Sequence, residues 1–212
     1  MLSHQAARIR AVGKRRGGTW LRARIWNWEF KSGQWDYLRS TTDDSLYPVL
    51  LARLDRGRLL DLGCGNGTIR CELPIGSLRR YVGVDISSEA IAQAEDRAAT
   101  IEAPVGGDLF IAGSITDPSV LALVGKDFDV ILLRETIYYI DLDELPDFVS
   151  RLCAMLSTRG LVLIRIWDRF RYASHVNAVR KLLSVVEEIT PDGKPSILMV
   201  AAPPGATHIT SP

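Results

Sequence analysis

The sequence predicts an α/β fold, with a mostly parallel β-sheet, helices on both faces and an antiparallel hairpin at the C-terminal end. Three observations predict it. Apolar runs suited to buried strands alternate with helical patterns, a glycine-rich turn follows the first apolar run, and two strand-like segments flank a turn near the end of the chain. Since parallel strands need crossover connections, this alternation places helices on both faces of the sheet.

The length and composition exclude several classes of protein. The chain has 212 residues, of which 47% are hydrophobic and 24% charged, so it can form one large domain and is not globally disordered. Its formal net charge of +1 gives no overall field that would attract nucleic acid or a membrane. The longest apolar stretches have about eight residues, against the roughly twenty that a membrane span needs. With three scattered cysteines and no secretory signal, we expect a reduced, soluble, cytoplasmic protein.

Residues 1–42 form a basic, tryptophan-rich N-terminal arm, and the body of the chain is expected to occupy residues 43–212. Between residues 3 and 25 there are seven basic side chains and no acidic one. Such a run is most often solvated, but it would attract an acidic substrate such as a phosphorylated lipid, a glycan or RNA. Four tryptophans lie close together in the arm, at Trp20, Trp26, Trp28 and Trp35.

Five apolar runs in the body predict buried strands. They lie at 58–62, 81–84, 109–112, 128–133 and 161–166. Near the end, the segments VVEEI and SILMVAA flank Pro191-Asp192-Gly193, a turn signal that predicts an antiparallel hairpin.

Helical patterns precede the first strand and connect the later ones. A short amphipathic helix is predicted after the acidic pair Asp43-Asp44, within the segment SLYPVLLARL. Three more helices are expected to begin after the capping residues Ser87, Asp117 and Asp141, and a further helix is predicted over 170–183.

The glycine-rich turn is the most informative segment, with the sequence Leu60-Asp61-Leu62-Gly63-Cys64-Gly65-Asn66-Gly67. Glycines at alternate positions allow a sharp turn and a close approach of the backbone to a ligand. Asp85 ends the second predicted strand, where a carboxylate can accept hydrogen bonds from both hydroxyls of a ribose. Together these features predict an adenosine-containing ligand.

The spacing of the glycines separates two kinds of adenosine ligand. The motif G-x-G-x-x-G is typical of nicotinamide dinucleotide sites, whereas this chain has G-x-G-x-G. The acidic Asp61, two residues before the first glycine, disfavours a diphosphate and favours an amino group or a sulfonium. The turn resembles the first motif of the class I S-adenosylmethionine-dependent methyltransferases, and the segment 82–87 resembles their second. Later motifs of the family resemble the segments 110–115, 128–135 and 156–164.

This resemblance covers most of residues 43–203 and implies a Rossmann-like class I methyltransferase sheet. The cofactor would be S-adenosylmethionine, the product S-adenosylhomocysteine, and no metal would be needed. Ser114 stands where the family often places an acid for the adenine amino group, and Arg134 where relatives usually carry a small residue. The cofactor contacts implied are Asp61, Gly63, Cys64, Gly65, Asn66, Gly67, Asp85 on the ribose, Ile86 against adenine, Ser114, Ile115 and Arg134.

The aromatic part of the arm has two interpretations. It can simply pack across the carboxyl edge of the sheet, or it can form a lid that excludes water from the site. The stretch Gly33-Gln34-Trp35-Asp36-Tyr37-Leu38 is similar to one before the first helix of several natural-product and sugar methyltransferases. This similarity favours a lid in which Trp35, Tyr37 or Tyr47 contacts the cofactor.

Candidate acceptor-side residues lie just past the fourth strand. The segment around Tyr138-Tyr139 resembles the Leu-Tyr-Tyr segment of nodulation-type N-methyltransferases, and Glu135 could orient an amine or accept a proton from a hydroxyl. Alternatively, Glu135 caps the following turn and the tyrosines only pack. His175, after the fifth strand, has the titration range of a base, although a lone histidine is more often an ordinary core or surface side chain.

The expected function is S-adenosylmethionine-dependent, in-line transfer of a methyl group to an O or N atom of a small or medium-sized metabolite, such as a sugar, a glycolipid or a natural product. Glu135, His175 and Tyr138 are the candidate catalytic residues. Two alternatives remain at this point, an NAD(P)-linked oxidoreductase and a non-catalytic partner subunit that binds the cofactor. Nothing in the sequence resembles a nucleic-acid-binding module.

Overall fold

The structure is a computed structural model that describes residues 10, 12–14, 17–35 and 45–206. Its described part contains a seven-stranded sheet in the order β3-β2-β1-β4-β5-β7-β6. The strands are β1 (Arg58–Leu62), β2 (Arg80–Asp85), β3 (Asp108–Ala112), β4 (Phe128–Arg134), β5 (Leu156–Ile166), β6 (Ser184–Ile189) and β7 (Ile197–Ala202). Strands β1 to β5 are parallel, and β7 pairs antiparallel with both β5 and β6. The predicted fold class is therefore confirmed.

Seven α-helices are described. They are α1 (Thr19–Lys31), α2 (Leu46–Leu54), α3 (Thr68–Glu72), α4 (Ser88–Ala98), α5 (Pro118–Val124), α6 (Leu145–Cys153) and α7 (Ala173–Leu182). Two predicted caps are confirmed, since Ser87 Oγ accepts a hydrogen bond from the Ala90 amide and Asp117 Oδ1 from the Ser119 amide. None of the helices in this part of the chain is long and apolar enough to cross a bilayer.

Three predicted boundaries differ from the structure, and one of them is the start of α7, which lies at Ala173 rather than at residue 170. Helix α6 begins at Leu145 rather than just after Asp141, because the carbonyl of Asp141 closes a tight turn with the amides of Glu144 and Leu145. Strand β5 begins at Leu156, since Leu156 pairs with Phe128 before the register shifts and Leu161 pairs with Val130. The helix α1 in the arm was not predicted. The boundary at residues 42 and 43 and the acidic pair Asp43-Asp44 lie outside the described residues.

Alternating residues of the strands fill two apolar layers, one on each face of the sheet. In β1, Leu60 and Leu62 belong to the layer that packs against α5, α6 and α7, whereas Leu59 belongs to the layer against α2 and α3. Helix α4 lies against β2 and β3, and α1 packs on α4.

The strand order reverses between β1 and β4, because the chain leaves β1 toward β2 and β3 and then crosses back to β4. Open α/β sheets bind ligands at such a switch point, outside the carboxyl ends of the strands. The glycine-rich turn, Asp85 and the segment 134–140 all follow carboxyl ends at this edge. The fold therefore gathers the predicted site residues from separate parts of the sequence.

Candidate functional site

A cleft of about 850 Å³ opens at the carboxyl ends of β1, β2, β4 and β5. Small-molecule sites commonly have volumes of roughly 300–1,000 Å³. Most of the predicted site residues line this cleft, namely Trp35, Asp61, Gly63, Cys64, Gly65, Asn66, Asp85, Ile86, Ser114, Ile115, Arg134, Glu135 and Tyr138.

The glycine-rich turn is fixed by backbone hydrogen bonds and by a close contact with the β4 side of the cleft. The amides of Gly63 and Cys64 both donate to the carbonyl of Val84, at 2.7 and 3.1 Å. Gly63 has a φ of +85°, and a Cβ at this position would lie 1.9 Å from Cγ2 of Thr136. Thr136 is itself held by a 3.0 Å hydrogen bond from its hydroxyl to the carbonyl of Leu62. Only glycine fits the first position of the turn.

Asp85 presents a buried carboxylate beside the turn. Its Oδ2 accepts a hydrogen bond from the Gly65 amide at 2.9 Å, and its Oδ1 accepts one from the Ser87 amide at 2.8 Å. Burial raises the pKa of Asp85 to about 6, while these two amides oppose the shift. Because each carboxylate oxygen can accept a further hydrogen bond, the group fits a pair of vicinal hydroxyls.

Asp61 lies on the floor of the cleft with only 1% of its surface exposed. Its Oδ2 accepts a hydrogen bond from the Tyr81 hydroxyl at 2.8 Å. Burial raises the pKa of Asp61 to about 7; Tyr81 and Arg134 oppose this shift and the charge of Asp85 adds to it. A cationic ligand group beside Asp61 would favour its ionised form. This environment suits the amino group of an amino acid.

Asn66 supplies a donor that lacks an acceptor within the described structure. It is buried, its Oδ1 accepts hydrogen bonds from the Thr68 hydroxyl and the Arg97 guanidinium, and its Nδ2 has no hydrogen-bond partner there. A buried amide donor needs an acceptor, and a ligand carboxylate in the cleft would provide one. With Asp85 and Asp61, Asn66 gives the site the polar groups that fit an adenosyl amino acid.

The far wall of this half of the cleft includes Ile86, Ser114 and Ile115, together with Thr116, which was not predicted. The hydroxyls of Ser114 and Thr116 lie 3.0 Å apart. A pair of hydroxyls, rather than an acid, therefore occupies the place where the family often carries a carboxylate.

Glu135 is held rigidly at the β4 and β5 side of the cleft. It has a φ of +61°, which is uncommon outside glycine and stores backbone strain. Its carboxylate is paired with Arg165 and accepts hydrogen bonds from the Tyr138 hydroxyl and the Trp167 amide, both at 3.0 Å. Burial raises the pKa of Glu135, and the charge of Arg165 opposes the shift most strongly.

Tyr138 is positioned by stacking and by this carboxylate. Its ring stacks on Tyr172 at a centroid distance of 4.0 Å with an interplanar angle of 9°. Burial and the charge of Glu135 raise the pKa of Tyr138, so the phenol remains protonated and donates to Glu135.

Three predicted site residues do not line the cleft. Nε2 of His175 lies 3.0 Å from the carbonyl oxygen of Ile140, and the ring is not among the groups that line the cleft. Tyr47 is buried on the other face of the sheet and bonds Glu72, with the Arg134 guanidinium 6.0 Å from its ring centre. Gly67 precedes α3 with a φ of +72°. Tyr37 lies outside the described residues.

The thiol of Cys64 is buried, which raises its pKa well above the usual value. It therefore stays protonated and contributes to the wall of the cleft as a small apolar group. Among the described residues, no group of three or more His, Cys, Asp and Glu side chains could hold a metal ion.

The arm supplies cleft residues that the sequence did not single out. From α1 come Arg22, Trp26 and Phe30, and from the preceding segment comes Lys14, whose ammonium lies 3.7 Å from the Trp26 ring centre. Trp26 also meets Tyr139 edge-on at 5.6 Å. The cluster of aromatic residues was the available signal in the sequence. It indicated that the arm packs against the body of the chain, but not which of its rings face the cleft.

Other unpredicted residues come from β5 and the hairpin, namely Arg165, Trp167 and Lys194. Arg165 interrupts the apolar run 161–166 of β5 close to its carboxyl end. A charged residue at that position is a signal that could have identified it.

Known proteins resemble this chain in sequence and in fold. A family model described as a methyltransferase domain matches residues 35–188. A ubiquinone biosynthesis O-methyltransferase from Bartonella tribocorum is 32% identical over 131 residues, which are 59% of this chain and 49% of that protein. The chain thus spans about half the length of the curated relatives it matches.

Two solved structures share the fold. A TehB-like SAM-dependent methyltransferase from Corynebacterium glutamicum is 16% identical with a TM-score of 0.64, and the match covers 82% of this chain and 97% of that one. The N-methyltransferase NodS from Bradyrhizobium japonicum, in complex with S-adenosyl-l-homocysteine, is 17% identical with a TM-score of 0.60, and the match covers 84% of this chain and 98% of that one.

Proposed function

Because the chain belongs to the class I S-adenosylmethionine-dependent methyltransferase family, we propose that it methylates an O or N atom of a small or medium-sized metabolite, such as a sugar, a glycolipid or a natural product. One observation carries this proposal. A single cleft joins the groups that fit the cofactor, Asp61, Asn66 and Asp85, to a polar and aromatic region around Glu135. The acceptor region is formed by side chains of the domain itself and of α1, which suits a small acceptor.

The residues of the cleft have separable roles in this proposal. When bound, S-adenosylmethionine supplies a methyl group activated by the positively charged sulfur that carries it. Asp85 would hold the ribose, Asp61 the amino group and Asn66 the carboxylate of the cofactor. The rings of Trp26, Phe30 and Trp35 exclude water from the cleft, because they cover it from the arm side.

Glu135 is proposed to position the acceptor. A carboxylate offers about four acceptor sites, and the bonds from Arg165, Tyr138 and Trp167 use three of them. The remaining site can accept a hydrogen bond from an acceptor hydroxyl or amine and direct its lone pair. Since burial raises the pKa of Glu135, the group is also suited to receive a proton from a hydroxyl.

Oxygen is the favoured acceptor atom. The curated relatives that match at 31% and 32% identity are named O-methyltransferases. Their name concerns a ubiquinone pathway, and phenolic hydroxyls therefore belong in the acceptor panel beside sugars and amines.

A cytoplasmic location is also proposed. The three cysteines of this chain are free, which supports it.

The activity is tested by incubating the chain with methyl-labelled S-adenosylmethionine and a panel of phenols, sugars, glycolipids and amines. We expect label in a phenol or other hydroxyl compound and micromolar binding of S-adenosylhomocysteine, with no binding of NADH. Binding of S-adenosylhomocysteine without transfer to any member of a broad panel would favour the non-catalytic alternative.

The role of Glu135 is tested by the variant Glu135→Gln. We expect kcat to fall about 10- to 1,000-fold, because proton acceptance and acceptor positioning are both weakened, while the affinity for S-adenosylhomocysteine changes little. The matched control is Glu188→Gln, which changes a carboxylate of β6 that pairs with Arg180 away from the cleft. An unchanged kcat in Glu135→Gln would remove Glu135 from the mechanism.

A further inference from the structure

The two faces of helix α1 differ in what they contact. Arg22, Trp26 and Phe30 lie on the inner face and line the cleft. The residues of the opposite face follow the 3.6-residue helical repeat and are all exposed. They are Trp20, Leu21, Arg24, Trp28 and Lys31, with 69% of Trp20, 41% of Leu21 and 52% of Trp28 accessible.

The outer face combines aromatic rings with positive charge. The guanidinium of Arg24 lies 4.8 Å from the Trp20 ring centre, and that of Arg10 lies 4.7 Å from the Trp28 ring centre. The single acidic residue of α1, Glu29, is buried and is paired with both Lys14 and Arg10, so the free positive charge of the outer face comes from Arg24 and Lys31. The described outer face of α1 therefore carries no negative charge.

Exposed tryptophans next to cations match the chemistry of a lipid headgroup layer. The indole ring is favoured at the boundary between headgroups and acyl chains, where its apolar body is buried and its N–H stays solvated. Lysine and arginine beside it are attracted to lipid phosphates and anionic headgroups, at a depth that a surface helix reaches. A duplex nucleic acid would match the charge, but its stacked bases offer no apolar layer in which two indoles and a leucine could be buried.

We propose that the outer face of α1 docks onto the surface of a lipid bilayer that contains anionic lipids. Because the inner face of the same helix forms one wall of the cleft, docking places the rim of the cleft at the bilayer surface. An acceptor held in or at the bilayer could then enter the cleft without crossing bulk water. The docking itself requires no particular acceptor, so it can be tested independently of the proposed function.

The test is flotation of the full chain with vesicles of phosphatidylcholine alone and of phosphatidylcholine mixed with phosphatidylglycerol. We expect binding to the anionic vesicles only, and binding that weakens as salt is added. The double variant Trp20→Ala/Trp28→Ala is expected to lower the partition coefficient at least about 10-fold, because two interfacial anchors are lost. The variant Arg24→Glu/Lys31→Glu is expected to lower it by a similar factor or more.

A matched control is Leu123→Ala/Lys126→Glu, which removes an exposed apolar side chain of α5 and reverses an exposed charge just after that helix. It should bind vesicles like the unmodified chain, and all variants should keep their affinity for S-adenosylhomocysteine. Absence of binding to anionic vesicles would overturn the proposal, as would an equal loss in the control. Full vesicle binding by the tryptophan variant, together with tight binding of duplex DNA, would instead identify a general polyanion surface.

Discussion

The two walls of the cleft are held in place by different forces. The sheet wall consists of the turn 63–67 and Asp85. The amides of Gly63 and Cys64 donate to the Val84 carbonyl at the end of β2, and the Gly65 amide donates to the Asp85 carboxylate. The arm wall consists of α1, which is attached through side chains. Asn27 accepts a 2.7 Å hydrogen bond from the Ser87 hydroxyl, and Trp26 packs edge-on against Tyr139.

This difference separates the part of the site that must stay fixed from the part that can adapt. Backbone bonds between neighbouring strands break only when the sheet opens, so the sheet wall keeps its geometry. Contacts made by a few side chains give a local stability far below that of the whole domain. Changes to the sheet wall should therefore weaken cofactor binding strongly, whereas changes to the arm wall should alter the arm with little effect on cofactor affinity.

The largest effect is expected for Gly63→Ala. A methyl group there would collide with Thr136 at 1.9 Å in a backbone conformation of φ +85°, so the turn must move. We expect a loss of about 2–4 kcal/mol in the free energy of unfolding and at least a 100-fold loss of S-adenosylhomocysteine affinity, measured by denaturant titration and calorimetry.

The control for this change is Gly76→Ala, which has a φ of +77° and open space around the added Cβ. This substitution should lower the free energy of unfolding by about 1 kcal/mol and leave the affinity for S-adenosylhomocysteine unchanged, because it only makes the backbone conformation less favourable. Equal effects of the two substitutions would mean that the contact with Thr136 does not hold the turn.

The next effect is expected for Asp85→Asn. The variant keeps an oxygen acceptor for a backbone amide but loses the charge that favours bonds from ribose hydroxyls, so the affinity for S-adenosylhomocysteine should fall about 10- to 100-fold. Asp117→Asn, which changes the exposed cap of α5, is the control and should bind normally. Normal binding by Asp85→Asn would contradict the ribose assignment.

A smaller effect is expected in the pH dependence of stability. Burial raises the folded-state pKa of Asp61 to about 7 and that of Asp85 to about 6, above the ordinary value of 3.8. The folded chain therefore binds more protons than the unfolded chain, and the stability contributed by these protons is lost as the pH rises through 6 and 7.

In the variant Asp61→Asn, residue 61 cannot titrate. Relative to this variant, the free energy of unfolding of the unmodified chain should fall by on the order of 1 kcal/mol or more between about pH 5 and about pH 8. Urea unfolding of both proteins across that range measures the difference. A difference that stays constant with pH would show that Asp61 is ionised throughout and that its burial does not control its proton.

The smallest effect is expected for Asn27→Ala on the arm wall. The change removes the bonds that join α1 to Ser87 and to the Glu89 amide at the start of α4, which should weaken arm attachment by about 0.5–1.5 kcal/mol. Faster hydrogen exchange in α1, with less than about a 3-fold change in S-adenosylhomocysteine affinity, is expected.

Asn177→Ala, at an exposed position of α7, is the control for the arm and should leave α1 exchange unchanged. If Asn27→Ala weakened cofactor binding as strongly as Asp85→Asn does, the distinction between the two walls would be wrong.

The sequence by itself predicted the strands, the glycine-rich turn and Asp85. The range of β1 matches the predicted run at 58–62, because that run is bounded by Gly57 and Gly63 and its three leucines enter the apolar layers on both faces of the sheet. Ser87 and Asp117 cap their helices through bonds to amides two or three residues away, and such local bonds can be read from the sequence.

Only the tertiary structure decided the arm and the acceptor side. Aromatic residues occupy both faces of α1, so the sequence has no single apolar stripe that would predict a helix there. The helix is stabilised by packing on α4 and Tyr139. The sequence predicted both Glu135 and His175 as catalytic candidates but could not predict the direction of either side chain. Distant partners set those directions, the Ile140 carbonyl for His175 and Arg165 for Glu135. The features that the sequence predicted depend on bonds between neighbouring residues, whereas the directions of the acceptor-side residues depend on contacts between segments that are distant in the sequence.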